Sequence, residues 1–344
     1  MNKKKTILTG MRPTGKLHLG HYVGALENWV KLQKDYNCSF LIADYQALGD
    51  YAEDIGRIRN SVIEVALDWL SVGLDPNKNN FVIQSYVPEY AELTMLLSMI
   101  TPKGMVDRNP TLKSEMAIQK DVSLGFYNYP ASQVADILLS KADLVPVGDD
   151  QLPHIELTRE IARKFNRIYG NVFPIPNALI GRIPRLTGID GKAKMSKSLG
   201  NCIYLSDSEE EVNKKVKKMY TDPSRIKATD PGHIEGNVVF IYLDAFYENK
   251  KELEILKKKY IKGEMGDVEI KNILSESLNK FLKPIREKRA FYKSHPAEIR
   301  KVLIAGTQRS REIAKKTIAE TKKAMNIFGY EDLKNIKKIT GSIS

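Results

Sequence analysis

Phe40-Leu41-Ile42-Ala43-Asp44, then Ile58 to Val72, then Phe81-Val82-Ile83-Gln84-Ser85, is the stretch on which the fold turns. Its two short apolar runs read as strands, and the segment between them sets Val62, Val65, Ala66 and Trp69 at helical spacing. Strand, helix, strand at this rhythm means a parallel sheet with crossover helices. An earlier run, Thr6-Ile7-Leu8-Thr9, closes at Gly10 and supplies another strand. The expected class is α/β. Such sheets bind ligands at the carboxyl ends of their strands, so the polar residues closing each run are the first candidates for chemistry.

The later sequence reads differently. Ile270, Ile273, Leu274, Leu278 and Phe281 form one apolar helical stripe, which Pro284 is expected to end. Pro296 fits a helix N-terminus ahead of Ile299, Val302 and Leu303, and a further helix is expected from Arg309 to Met325. Val238-Val239-Phe240-Ile241 reads equally as a strand or as the start of a helix. A chain of 344 residues exceeds the roughly 250–300 that one core serves. Two domains are expected, an α/β part over 1–203 and a mostly helical part over 204–344.

Composition narrows the setting. Apolar residues at 42% and charged residues at 28% describe an ordinary globular protein. No run approaches the ~20 apolar residues of a membrane span. The start, Met1-Asn2-Lys3-Lys4-Lys5, is basic, but Gly10 and Arg12 interrupt the apolar stretch too early for a secretory signal. Two cysteines, Cys38 and Cys202, make neither a disulfide framework nor a structural zinc site. A cytoplasmic protein with no membrane partner is expected.

The net charge of +12 is unevenly spread. Residues 1–203 hold 24 basic against 21 acidic side chains, and residues 204–344 hold 30 against 21. Each cluster, such as Lys214-Lys215-Val216-Lys217-Lys218, reads by itself as a solvated helix face. The asymmetry between the parts points instead to a polyanion, since clustered Lys and Arg attract phosphate backbones.

The first strand leads into Thr9-Gly10-Met11-Arg12-Pro13-Thr14-Gly15-Lys16-Leu17-His18-Leu19-Gly20-His21. Gly10 to Lys16 imitates the start of a Walker phosphate loop, but Leu17 stands where a magnesium-holding Ser or Thr is required, so that reading fails. His18-Leu19-Gly20-His21 opening a helix is the better one. A helix N-terminus offers free N–H groups and partial positive charge, and imidazole donors there can stabilise charge developing on an α-phosphate. Gly20 allows close approach of a nucleotide. A pair that merely caps the helix and half a zinc site are the other readings of these histidines, and no further ligand cluster accompanies the second. The motif indicates nucleotidyl transfer, which several adenylyl- and cytidylyltransferases also perform with it.

Gly191-Lys192-Ala193-Lys194-Met195-Ser196-Lys197-Ser198-Leu199-Gly200-Asn201 is a glycine-flanked loop with three lysines and two serines. Flexible flanks would let it close over a triphosphate, with Lys194 and Lys197 on the leaving pyrophosphate. Lys194 to Ser198 spell KMSKS, downstream of an HxGH helix in an α/β chain. The pair resembles the signature of class I aminoacyl-tRNA synthetases.

From about Ile7 to Met325 the chain resembles bacterial tryptophanyl-tRNA synthetases. The matches run in family order through Gly10 to Gly24, Asp44-Tyr45-Gln46-Ala47-Leu48, Tyr129-Pro130 with Ala135-Asp136-Ile137-Leu138, Val145 to Gln151, and His154 to Arg159. The resemblance implies a Rossmann-like catalytic domain and a helical anticodon-binding domain. It implies activation of L-tryptophan by ATP and transfer to the 3′ end of tRNA(Trp), with ATP arriving as its Mg2+ complex and the enzyme working as a homodimer. Catalytic roles fall to His18, His21, Lys194 and Lys197. Arg12, Pro13, Thr14, Gly20, His21, Gly148, Asp149, Asp150, Ile183 and Lys194 to Ser198, including Met195 and Ser196, would line the ATP site, with Lys113 toward the phosphates.

The same resemblance makes Asp136 the acceptor of the indole N–H, with Tyr129 and Gln151 on the α-amino group and Gln46 and Gly10 completing the pocket. A carboxylate suits indole, which only donates. Tyrosyl relatives instead present a Tyr and Asp pair to a phenol. Many relatives have His where this chain has Gln46. Some carry an iron–sulfur cluster on four cysteines, but Tyr260 to Ile270 has none, so that cofactor is not expected.

Overall fold

The computed structural model describes residues 4–119, 121–180, 186–221, 225, 227 and 229–334. Five strands, β1 (Thr6–Met11), β2 (Asn37–Ile42), β3 (Asn80–Ile83), β4 (Leu144–Val147) and β5 (Asn177–Ile180), form a sheet of order β3-β2-β1-β4-β5. The strand order reverses at β1. Pairing is parallel, with Phe40 beside Phe81, Ile7 beside Leu144 and Val145 beside Ala178. The strand–helix–strand expectation holds: the helix Ile55–Ser71, capped by Asp54 accepting from Arg57 N–H, joins β2 to β3.

Contacts divide the chain into two compact units. One comprises Met1–Lys4, Gly10–Ile83 and Gly181–Gly306, and the other Lys5–Thr9, Gln84–Ile180 and Thr307–Ser344.

In the first unit Trp29, Phe40, Trp69 and Phe81 pack as a buried aromatic cluster with ring centroids 5.4–6.1 Å apart. Burying side chains of this size contributes roughly 1.5–3 kcal/mol each. Gly10 is required by the sheet, because a Cβ there would stand 2.3 Å from the Leu41 carbonyl oxygen. The helix Asp267–Ser294 lays Ile270, Leu274, Leu278 and Leu282 into this unit and packs on Ile55–Ser71. Contrary to the sequence expectation, Pro284 sits inside that helix rather than ending it. Proline costs a helix about 3 kcal/mol through its missing N–H. Here it lies on the exposed face, while its neighbours Leu282 and Ile285 stay buried.

Val238–Phe246 is a helix capped by Asn237. The expected segment from Arg309 is the later part of one 29-residue helix, Pro296–Ala324. In the second unit Phe126 and Tyr129 of the helix Leu124–Leu139 form a buried cluster with Val106 and Leu112. Among the described residues no helix is long and apolar enough to cross a membrane.

Candidate active site

The predicted site residues fall into two groups, one in each unit. The first unit carries Gly10, Arg12, Pro13, Thr14, His18, Gly20, His21, Gln46 and the Lys194–Ser198 loop. The second carries Tyr129, Asp136, Gly148, Asp149, Asp150 and Gln151, with Lys113 exposed on the helix Pro110–Met116. Ile183 lies outside the described residues.

His18 caps the start of the helical run that begins Leu19–His21. Its backbone N–H donates to His21 Nδ1 at 3.1 Å, and the two rings lie 3.8 Å apart. Burial and the nearby Lys197 and Lys194 lower the His18 pKa to about 3. Burial foremost, then His18 and the same lysines, hold His21 well below the usual imidazole value. Both rings are therefore neutral near pH 7 and can donate or accept without carrying charge. His18 Nδ1 is buried with no protein partner among the described residues, the kind of polar atom that a ligand satisfies. A Cβ on Gly20 would come within 2.9 Å of His18 Nδ1, so the glycine first of all makes room for that ring.

The lysine loop is anchored at both ends. Met195 N–H donates to the Leu186 carbonyl and Gly188 N–H to that of Ala193, while Gly191 and Gly200 take the positive φ angles that the turns need. Asn201, unnoticed in the sequence, ties the loop together. Its Oδ1 accepts from Ser196 N–H at 2.8 Å and its Nδ2 donates to Asp190. Met195 is buried, with its sulfur accepting from Gly20 N–H at 3.4 Å, and the Ser196 and Ser198 hydroxyls meet at 2.9 Å.

Lys194 is exposed. Lys197 turns inward, donating to Thr14 Oγ1 at 3.2 Å and to the Gly15 carbonyl at 3.0 Å. Burial first, then Arg57, lowers its pKa to about 8. Arg57 in turn donates to the Thr14 carbonyl, and Arg12 pairs with Asp50 at 2.8 Å. Pro13 is buried beside them, and Gln46 is half-buried on the helix Asp44–Tyr51. One loop and one helix start thus concentrate neutral imidazoles and ammonium groups, a set suited to a polyphosphate.

In the second unit Asp136 is 2% exposed on the helix Leu124–Leu139, and Gln84 Nε2 donates to its Oδ1 at 2.7 Å. Burial, then the Asp136 charge, raises the pKa of neighbouring Tyr90. Tyr129 lies two helical turns before Asp136, on the same face. Its hydroxyl meets His154 Nε2 at 3.1 Å, and His154 Nδ1 meets Asn109 Nδ2 at 3.2 Å. Asn109 Oδ1 is occupied by Thr111 and Leu112 N–H groups, so its Nδ2 donates to His154. The imidazole proton then sits on Nε2 and is donated to the Tyr129 oxygen, which turns the phenol proton away from the ring.

Gly148 precedes the 3-10 turn Asp149–Gln151, and the Asp150 carbonyl accepts from Thr111 Oγ1 at 2.8 Å. Gln151 Nε2 donates to Asp150 Oδ2 at 3.4 Å. Gln84, Tyr90, Asn109 and His154 were not anticipated as pocket residues. His154 stood in a quoted motif and Gln84 among the polar residues that close a strand, whereas Tyr90 and Asn109 had no local signal. Among the described residues no group of three or more His, Cys, Asp or Glu could hold a metal ion.

Residues 1–283 match the model of the family described as tRNA synthetases class I (W and Y). The tryptophan–tRNA ligase of Clostridium longisporum is 49% identical over 338 residues, covering 96% of this chain and 99% of its own length. That of Chlamydia caviae is 49% identical over 336 residues, covering 95% and 97%. The crystal structure of tryptophanyl-tRNA synthetase from Campylobacter jejuni, complexed with ADP and tryptophan, superposes with a TM-score of 0.85. It is 33% identical and covers 94% of this chain and all of that one.

Proposed function

The chain belongs to the class I tRNA synthetases of the tryptophan and tyrosine branch, and from that premise we propose that it acts as a tryptophan–tRNA ligase. The observation that carries the reading is 49% identity, over nearly the whole of both chains, to proteins with that activity. The tryptophan carboxylate attacks the α-phosphorus of ATP, a carboxylate oxygen–phosphorus bond forms, and pyrophosphate leaves. A hydroxyl of the terminal adenosine of tRNA(Trp) then attacks the acyl carbon and AMP departs.

No side chain need act as a nucleophile, so the protein positions the reactants and stabilises charge. In this reading neutral His18 and His21 donate to the α-phosphate, and Lys194 and Lys197 follow the pyrophosphate charge. To ATP we assign Arg12, Pro13, Thr14 and Gly20 with Met195, Ser196 and Ser198 of the lysine loop in the first unit, and Gly148, Asp149 and Asp150 in the second. Magnesium arrives on the ATP, held by its phosphates and by water. Asp136 accepts the indole N–H, supported by the buried amide of Gln84 on its other side. Tyr129 and Gln151 receive the α-amino group, and Gly10 and Gln46 are further residues assigned to tryptophan. The basic excess in residues 204–344 is offered to the tRNA, two copies of the chain form the working enzyme, and its place is the cytoplasm.

Pyrophosphate exchange measured with each of the twenty amino acids tests the substrate. Tryptophan alone should support it. Exchange with tyrosine and none with tryptophan would move the chain to the other branch of its family.

A further inference from the structure

The reaction above makes no use of Asp68, although this residue is fully buried and its helix carries none of the signature motifs. Its Oδ2 accepts the Leu17 N–H at 2.8 Å, and its Oδ1 pairs with Arg289, which also binds Glu64. Arg289 comes from the helix Asp267–Ser294, 221 residues further along the chain. Leu17 immediately precedes His18. On the opposite edge of this segment the Leu17 carbonyl accepts from Leu205 N–H at 3.0 Å, and Leu19 N–H donates to the Ile203 carbonyl at 2.9 Å. Asp68 therefore holds the side of the histidine segment opposite residues 203–205. Its charge is also felt at Lys197, which it helps to keep protonated.

Stability alone does not account for this arrangement. A buried ion pair is commonly no better for folding than apolar residues of similar volume, because desolvation offsets the attraction. What apolar residues could not do is accept the Leu17 N–H or set a negative charge near Lys197. We propose that Asp68, paired with Arg289, is a positioning residue for adenylate formation, fixing the backbone that presents His18. The assignment rests on the synthetase reading of the signature motifs.

The test pairs two variants of the full chain with the wild type. Asp68→Leu combined with Arg289→Met replaces the pair by apolar side chains, so a role confined to folding predicts normal activity once the fold is kept. We expect kcat for tryptophan-dependent pyrophosphate exchange to fall about tenfold or more, with KM for tryptophan within about twofold, in a protein that stays folded although the unpaired Leu17 N–H lowers its Tm. Faster hydrogen exchange of the Leu17 amide should accompany the loss. A folded double variant with wild-type kcat overturns the proposal.

Arg289→Lys, which keeps a cation and so the fold, gives the second readout. Asp68 pairs with Arg289 from the long helix and feels the charges of Glu64 from its own helix and Lys197 from the loop. Burial raises its pKa to about 6 against the pull of Arg289. Activity should therefore fall as pH drops through that value, and the weaker lysine pairing should move this limb upward. An unmoved limb overturns the proposal even if the double variant does not fold. Wild-type protein that fails to exchange with tryptophan refutes the synthetase reading instead, whereas an active wild type with unaffected variants refutes only the role of Asp68.

Discussion

The Lys197 ammonium reaches across 183 residues of sequence to the Thr14 hydroxyl, 3.2 Å away, which ties the lysine loop directly to the strand-to-helix turn. Burial there leaves Lys197 with a pKa of about 8. The charged form is lost as pH rises through that value, so pyrophosphate exchange should decline on the alkaline side. Lys197→Arg should shift that decline upward by keeping its charge, and Lys197→Ala should lower kcat far more than tryptophan affinity. A rate unchanged between neutral and alkaline pH would remove the lysine from the chemistry.

Asp136→Ala takes away the acceptor assigned to the indole and leaves the Gln84 amide without the oxygen it now meets at 2.7 Å. A hydrogen bond to a charged group contributes roughly 1.5–3 kcal/mol, so kcat/KM for tryptophan should fall about 10- to 150-fold. ATP affinity should hardly move. Steady-state exchange with either substrate varied separates these outcomes.

His18 and His21 should show no titration by NMR between about pH 5 and pH 8, the window in which an ordinary imidazole changes charge. The cause is burial beside two lysines, which lowers the His18 pKa to about 3. A midpoint near the usual value for either ring would contradict the neutral-donor role.

Two glycines of the motif segment should fail differently. Gly10→Ala sets a Cβ 2.3 Å from a backbone oxygen of β2, which cannot yield cheaply, so Tm should drop. Gly20→Ala meets the His18 ring at 2.9 Å, and a side chain can rotate away. There the loss should appear in kcat, with Tm close to wild type. Thermal melts alongside exchange kinetics distinguish the two.

Added salt should weaken tRNA charging, because the 30 basic side chains after residue 203 would release counterions from the nucleic acid backbone. Adenylate formation, which uses small substrates, should respond much less. Equal salt dependence of the two half-reactions would detach the charge surplus from tRNA binding.

The two signature motifs were legible because each is contiguous, so its residues are neighbours whatever the fold. The α/β class was legible for a related reason: the periods of Phe40–Ala43 and of Val62–Trp69 are local properties of the backbone. Reading failed where a local rule met a tertiary one. Pro284 should stop a helix on propensity, yet the buried stripe on either side, with Arg289 anchored to Asp68, keeps the helix Asp267–Ser294 continuous.

The sequence by itself determined the parallel sheet, the histidine and lysine motifs, and the family to which they belong, since all of these are written in short spans. Only the tertiary structure decided what surrounds those motifs. Arg289 meets Asp68, Asn201 ties the loop, Gln84 reaches Asp136, and His154 orients Tyr129. Most of these partners lie tens to hundreds of residues apart, and a buried polar group takes whichever partner folding brings within about 3 Å. Asn201, only five residues from Ser196, was hidden for another reason: an asparagine among lysines and serines shows no period and no motif until the loop closes on it.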